Sequence, residues 1–229
     1  MTIKPIRQAW KGTMTPRERF NRQMHFLPVD RSVNMEFGYW EENYTQWKMF
    51  SENGVTNEWQ ANRFFNFDPI AGISGRVFMY PTYEEKEIGR TANGKRILQN
   101  QDGLIAEQPL DGHSTIPHYI KAQITAADWY AVKALRFDVS HPARIVDIEA
   151  LKARHLPDAG RDYPLGVDCG SMIGRIRDML TFEGLCYASY DEPEIVEDMV
   201  ETSCRLVEHF LDQVLPHFKF DFTSGWEDI

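Results

Sequence analysis

The residues best placed to do chemistry lie in the last segment, Phe220-Asp221-Phe222-Thr223-Ser224-Gly225-Trp226-Glu227-Asp228-Ile229. It reads as a buried strand over 218–224 that runs into a loop of aromatic and acidic residues. In proteins that alternate strands with helices, the loop after a strand is where reactive groups sit. Glu227 and Asp228 there suit orienting a substrate, or giving and taking a proton. Two acids in that position are equally compatible with a solvated loop. Trp226, just before them, adds a flat ring for a bound molecule. No helix to cover the strand and no partner strand follow in the sequence, so this reading expects the front part of a larger enzyme.

A second group follows the expected first strand at 32–37. Glu36, Tyr39 and Trp40 fall at its end, where flat rings line pockets or stack on a ring system; aromatic residues there also serve as ordinary core. Asp168 comes late in a third strand, and a carboxylate buried there needs a partner. Arg175, at the start of the next helix, is one candidate, in a structural or a catalytic ion pair. Cys169, Cys186 and Cys204 are odd in number, with spacings that fit neither a disulfide scaffold nor a zinc ribbon. No metal role is expected for them.

These residues need a frame. Thr15-Pro16-Arg17-Glu18 is a capping box with proline at the first helical position, opening a helix that carries Phe20 and Met24 inward and ends near His25. A polar, aromatic-rich stretch at 41–51 reads as helix, closed by the turn pair Asn53-Gly54. A further helix is expected at 57–65, stopped by Asp68-Pro69, and a second strand at 70–79. Around Asn93-Gly94 and Asp102-Gly103, both strong hairpin signals, 83–108 reads as an antiparallel hairpin inserted between strand–helix units. Thr125 caps a helix running to Leu135, a shorter one covers 148–155, and the third strand with its exit loop covers 163–171. A short helix follows through Met179.

The longest helix opens at Asp191-Glu192-Pro193-Glu194, read as another capping box. Its apolar residues Val196, Met199, Val200, Val207, Phe210, Leu211 and Val214 recur at the spacing of one helix face. Four strands separated by helices, with one insertion, is a parallel α/β order. There is no Gly-x-Gly-x-x-Gly and no Walker-type loop, which argues against a nucleotide-binding fold.

Composition sets the class. The 229 residues are enough to bury a sizeable core, and 42% hydrophobic with 26% charged residues is ordinary for a globular protein. A net charge of −9 argues against a general binder of nucleic acid or anionic membranes, while leaving room for a local basic pocket. The opening residues hold no apolar run like a signal peptide, and no segment approaches a membrane span. A cytoplasmic protein is the expectation.

The stretch Thr15-Pro16-Arg17-Glu18-Arg19-Phe20, followed by Pro28-Val29-Asp30-Arg31, Gly170-Ser171-Met172-Ile173-Gly174-Arg175, Asp191-Glu192-Pro193-Glu194 and Trp226-Glu227-Asp228, resembles the uroporphyrinogen decarboxylase superfamily. The resemblance runs in order from about Thr15 to Ile229. It implies a (β/α)8 barrel, of which this chain carries about the first half with the hairpin as an insertion. The exposed sheet edges of a half-barrel imply self-association.

The superfamily contains two chemistries. Its decarboxylases need no cofactor, and they grip the carboxylates of a tetrapyrrole with an Arg-Gln-Ala-Gly-Arg motif after the first strand. Here that region is Glu36-Phe37-Gly38-Tyr39-Trp40, without the arginine forks that hold carboxylates. The likeness is closest to the branch that includes corrinoid-dependent methyltransferases. There a zinc ion, held by a His-x-Cys pair and a distant Cys, activates a thiolate, and a corrinoid carries the methyl group. This chain has no His-x-Cys, and the resemblance puts those ligands beyond Ile229. Methyl transfer with a corrinoid partner is therefore the leading expectation. Tetrapyrrole decarboxylation using Arg175 and Arg177, and a silent half-barrel acting by association, are the alternatives.

Overall fold

The computed structural model describes residues 3–108, 118–122, 124–155 and 157–227. In chain order these form α1 (Pro16–Met24), α2 (Glu41–Gln46), α3 (Lys48–Ser51), α4 (Glu58–Phe65), β1 (Ala71–Ile73), β2 (Lys86–Arg90), β3 (Arg96–Gln99), β4 (Ile105–Gln108) and β5 (His118–Lys121). Then follow α5 (Trp129–Arg136), α6 (Ile148–Arg154), β6 (Leu165–Asp168), α7 (Ile173–Asp191), α8 (Pro193–Val214) and β7 (Phe222–Ser224).

The fold is mixed α/β. One sheet is parallel, with strand order β1-β6-β7, and the other antiparallel, with order β2-β3-β4-β5. Among the described residues the parallel sheet is open, with three strands and no closed barrel. Its register sets Ala71 beside Leu165 and Gly166 beside Phe222, so the carboxyl ends of all three strands lie at one edge. The antiparallel sheet is larger than the expected hairpin. Its turns fall where Gly94 and Gly103 take left-handed backbone, at φ 85° and 82°, which glycine adopts without a Cβ clash. No helix of the described residues is long and apolar enough to cross a membrane.

Several local expectations meet different physics. Thr15 accepts from the Glu18 amide at 3.1 Å, as a cap should, and Phe20 is buried, but Met24 at the helix end is exposed. Residues 32–37 form no strand. The Asp68 amide donates to the Asn34 carbonyl at 2.7 Å, but the Asn34 amide turns to the Asp68 carboxylate at 3.0 Å, so no ladder propagates. That carboxylate is fixed by Arg31, at 2.7 and 2.6 Å. At 70–79 only Ala71–Ile73 pairs, and the rest becomes a wall of the site described below. The expected box at Asp191 is absent: α7 breaks at Thr181, where φ is 68°, and its second part runs through Asp191, with Glu192 joining it directly to α8 without a side-chain cap.

Three apolar clusters hold the layers together. Val167, Ile73 and Leu165 of the parallel sheet meet Phe210 and Val214 of α8. Trp129, Ile176, Met179, Met199 and Leu206 join α5, α7 and α8. Phe50, Val55, Ala61 and Phe64 gather the N-terminal helices. The apolar stripe of α8 thus does what its spacing predicts: Met199, Val207, Phe210 and Val214 are all buried.

Gly75 shows how close this packing is, because a Cβ there would collide with the buried Phe210 ring. Gly75→Ala is expected to cost about 1–3 kcal/mol by overpacking. Urea denaturation reads this directly, and Phe210→Leu in the same chain should recover part of the loss.

Candidate functional site

A cleft of about 420 Å³ opens at the carboxyl ends of the parallel strands. Open α/β sheets place ligands at this edge, because strand-end loops and helix N-termini converge there. Two other cavities, of 290 and 460 Å³, are lined by residues that precede β6, β7 and β1, at the opposite edge. The carboxyl-edge cleft is bounded by Arg76 and Phe78 beyond β1, Asp168 at the end of β6 and Ser171 beyond it, and Asn100 and Asp102 from the β3–β4 turn. The antiparallel insertion therefore supplies one wall of the site.

The wall beyond β1 is held by a buried arginine. Arg144, 3% exposed, donates from Nε to the Asp138 carbonyl at 2.8 Å and from Nη2 to the Arg136 carbonyl at 3.0 Å. Its Nη1 donates to the carbonyls of Arg76 and, at 2.8 Å, of Phe78. Burial draws its pKa down, Asp138 opposes that shift, and Arg76 adds to it. One guanidinium thus satisfies the carbonyls of a segment that left its sheet, as buried backbone requires.

Of the residues singled out in the sequence, Asp168 and Arg175 line the cleft, but they do not pair with each other. Asp168 is exposed and accepts from the Gly170 amide at 2.8 Å. Arg175 Nη1 instead meets Asp102 Oδ2 at 3.2 Å, while its guanidinium lies over the Phe78 ring at 5.0 Å. Burial pushes the Asp102 carboxyl above its ordinary value; Arg175 opposes this and Asp178 adds to it. Asp102 is the functional candidate that sequence reasoning missed. The Asp102-Gly103 dipeptide was legible as a turn, but nothing local indicates that the turn reaches a helix 73 residues away.

Glu227 sits at the same edge, in a capping role. Its carboxylate accepts from the Met172 amide, from the Ile173 and Gly174 amides at 3.2 and 3.1 Å, and from the Ser171 hydroxyl at 3.3 Å. Burial pushes this carboxyl up, but those donors outweigh it and hold the pKa below its ordinary value. A carboxylate at the N-terminus of α7 answers orphan amides and the helix dipole. Glu227→Ala is expected to cost about 1 kcal/mol, measured by denaturation, with Glu227→Gln recovering most of it. Because the folded pKa is depressed, the Glu227 contribution is present above the ordinary glutamate range and is lost as pH falls. Asp228 lies outside the described residues.

The remaining candidates stand off the cleft. Tyr39 packs in the N-terminal cluster, 5.4 Å from Phe50 and 6.3 Å from Phe65 between ring centres, and burial pushes its pKa up to about 12. It is partly buried and packs against that cluster. Trp40 is exposed at the start of α2, and Glu36 is exposed with its carboxylate turned back on the Phe37 amide at 2.8 Å. Trp226 is closer to the site. Its amide donates to the Gly170 carbonyl at 2.9 Å, and its ring, 61% exposed, lies 5.9 Å from that of Phe37.

Among the described residues no three His, Cys, Asp or Glu side chains gather as a metal-binding group. Cys169, Cys186 and Cys204 are free thiols, with Cys169 Sγ 2.9 Å from Thr223 Oγ1. Among the described residues this donor set does not fit a zinc site. No family model, curated protein or solved structure matches the chain.

Proposed function

We propose that this chain folds as the first half of a (β/α)8 barrel of the uroporphyrinogen decarboxylase superfamily, and that it acts in methyl transfer between a corrinoid and a small acceptor held in the cleft. The observation that carries this reading is the meeting of separate stretches named for the resemblance. Glu227 caps the segment 170–175 and Trp226 bonds to Gly170; Phe37, outside those stretches, has its ring 5.9 Å from that of Trp226. All of this lies at the carboxyl edge of a parallel sheet, where barrel enzymes carry out their chemistry. The exposed Phe37–Trp226 ring pair suits the flat face of a corrinoid. When bound, that group supplies an electrophilic methyl. The cleft residues bind and orient the acceptor, with Asn100 and Arg175 as donors.

Tetrapyrrole decarboxylation is the weaker reading. Arg76 and Arg175 share the cleft with Asp102, Asp168 and Glu85, two cations that suit a single carboxylate and not the many a tetrapyrrole carries.

The test mixes the purified protein with methylcobalamin and a small thiol and follows the loss of the methylcobalamin absorbance. Loss with the wild type, slowed at least about tenfold in Arg175→Ala, is the expected result (about 1.4 kcal/mol). Decarboxylation of uroporphyrinogen without methyl transfer would overturn it.

A further inference from the structure

The cations of the cleft are unequally matched by its acids. The Arg76 guanidinium lies over the Tyr80 ring at 4.7 Å, and among the described residues no carboxylate comes within ion-pair distance of it. The Arg175 guanidinium lies over Phe78 and reaches Asp102 with Nη1 alone. An arginine over a ring still has N–H groups to offer an anion, and its planar fork matches a carboxylate in a fork-to-fork pair. The other acids of the cleft are placed differently: Asp168 accepts from the Gly170 amide, and Glu85 is exposed at the rim. Arg144 fixes the wall that carries Arg76, which reduces the ordering cost of a bound ligand.

We propose that this cleft contains a carboxylate subsite, in which Arg76 and Arg175 grip the carboxylate of a small substrate, and that Asp102 is an internal anion holding Arg175 until the substrate displaces it. The inference rests on reading the cleft as the active site, and it narrows the acceptor to a carboxylated small molecule. The single contact at 3.2 Å between Asp102 and Arg175 is what an exchangeable counter-ion needs. A bidentate pair would compete with the substrate more strongly.

The experiment is calorimetric titration of the intact protein with succinate, using uncharged succinamide and inorganic phosphate as the comparison ligands. One-site succinate binding is expected, weakened about tenfold or more in Arg76→Ala and in Arg175→Ala. Asp102→Asn is expected to tighten binding severalfold, because it removes the internal competitor; a merely structural Asp102 would give the opposite sign. Thermal melting checks each variant. If an alanine variant fails to melt cooperatively, Arg76→Lys or Arg175→Lys takes its place, keeping the charge without the fork and binding with intermediate affinity. No saturable succinate binding, equal binding of succinamide, tighter binding of phosphate, or weaker binding in Asp102→Asn overturns the proposal. Succinate binding without methyl transfer would sink the methyl-transfer reading alone, and methyl transfer without succinate binding would sink the subsite alone.

Discussion

Asp221→Asn is expected to destabilise the fold by about 3–5 kcal/mol, a fall in melting temperature on the order of 10 °C for a chain of this size. The Asp221 side chain is 3% exposed and accepts from Arg17 Nε and Asn21 Nδ2, both at 2.8 Å, from Arg161 Nη1 at 2.6 Å and from the Leu165 amide at 2.9 Å. One carboxylate therefore joins α1, the segment before β6 and the start of β7. Asparagine keeps the shape, but it turns an amide toward arginines and leaves Arg161, itself 2% exposed at the side chain, without that compensating charge. Burial pushes the Asp221 carboxyl up; the hydrogen bonds from Asn21, Leu165, Arg17 and Arg161 outweigh it and hold the pKa at about 2. The folded value lies below the ordinary one of 3.8, so the stability it brings is complete above that value. It is lost as pH falls toward 2. Melting curves taken across that window should slope in the wild type and flatten in Asp221→Asn. Equal slopes in the two proteins would show that Asp221 is not the group responsible.

Asp221 also marks what was legible in the sequence. Elements set by local chemistry were read correctly: the Thr15 cap, the apolar stripe of α8, and the glycine turns at Gly94 and Gly103. Each depends on residues a few positions apart. The roles of individual acids were not legible, because remote donors decide them. Asp221 stands in the same segment as Glu227, which caps a helix, yet its partner Arg17 lies 204 residues away. The pairing guessed for Asp168 and Arg175 failed for the same reason, since the competing acid arrives on a turn of the other sheet. Tyr39 looked like a pocket residue by its place in the sequence, but Phe50 and Phe65 draw it against the N-terminal cluster.

Arg144→Ala is expected to damage both stability and the cleft, because the same guanidinium serves both. Removing it takes this donor from the partly buried carbonyls of Asp138, Arg76 and Phe78, while the Arg136 carbonyl keeps the Tyr80 amide at 2.8 Å. A buried unsatisfied group costs about 1–3 kcal/mol. Water entering the space left by the side chain would satisfy some of the three, so a total of about 3 kcal/mol is the expectation. Arg144→Lys keeps a positive charge but cannot reproduce the planar fork that reaches these carbonyls from several directions; it should recover less than half of the loss. The consequence for the site follows from geometry. The carbonyls of Arg76 and Phe78 are the two anchors on the cleft wall, and Phe78 in turn carries Arg175. Once they are released, Arg76 and Arg175 lose their shared orientation, and succinate affinity should fall at temperatures where Arg144→Lys is still fully folded. Unfolding curves and titrations of that one variant separate the two effects. Lost stability with unchanged affinity would mean that Arg144 supports the fold without shaping the cleft.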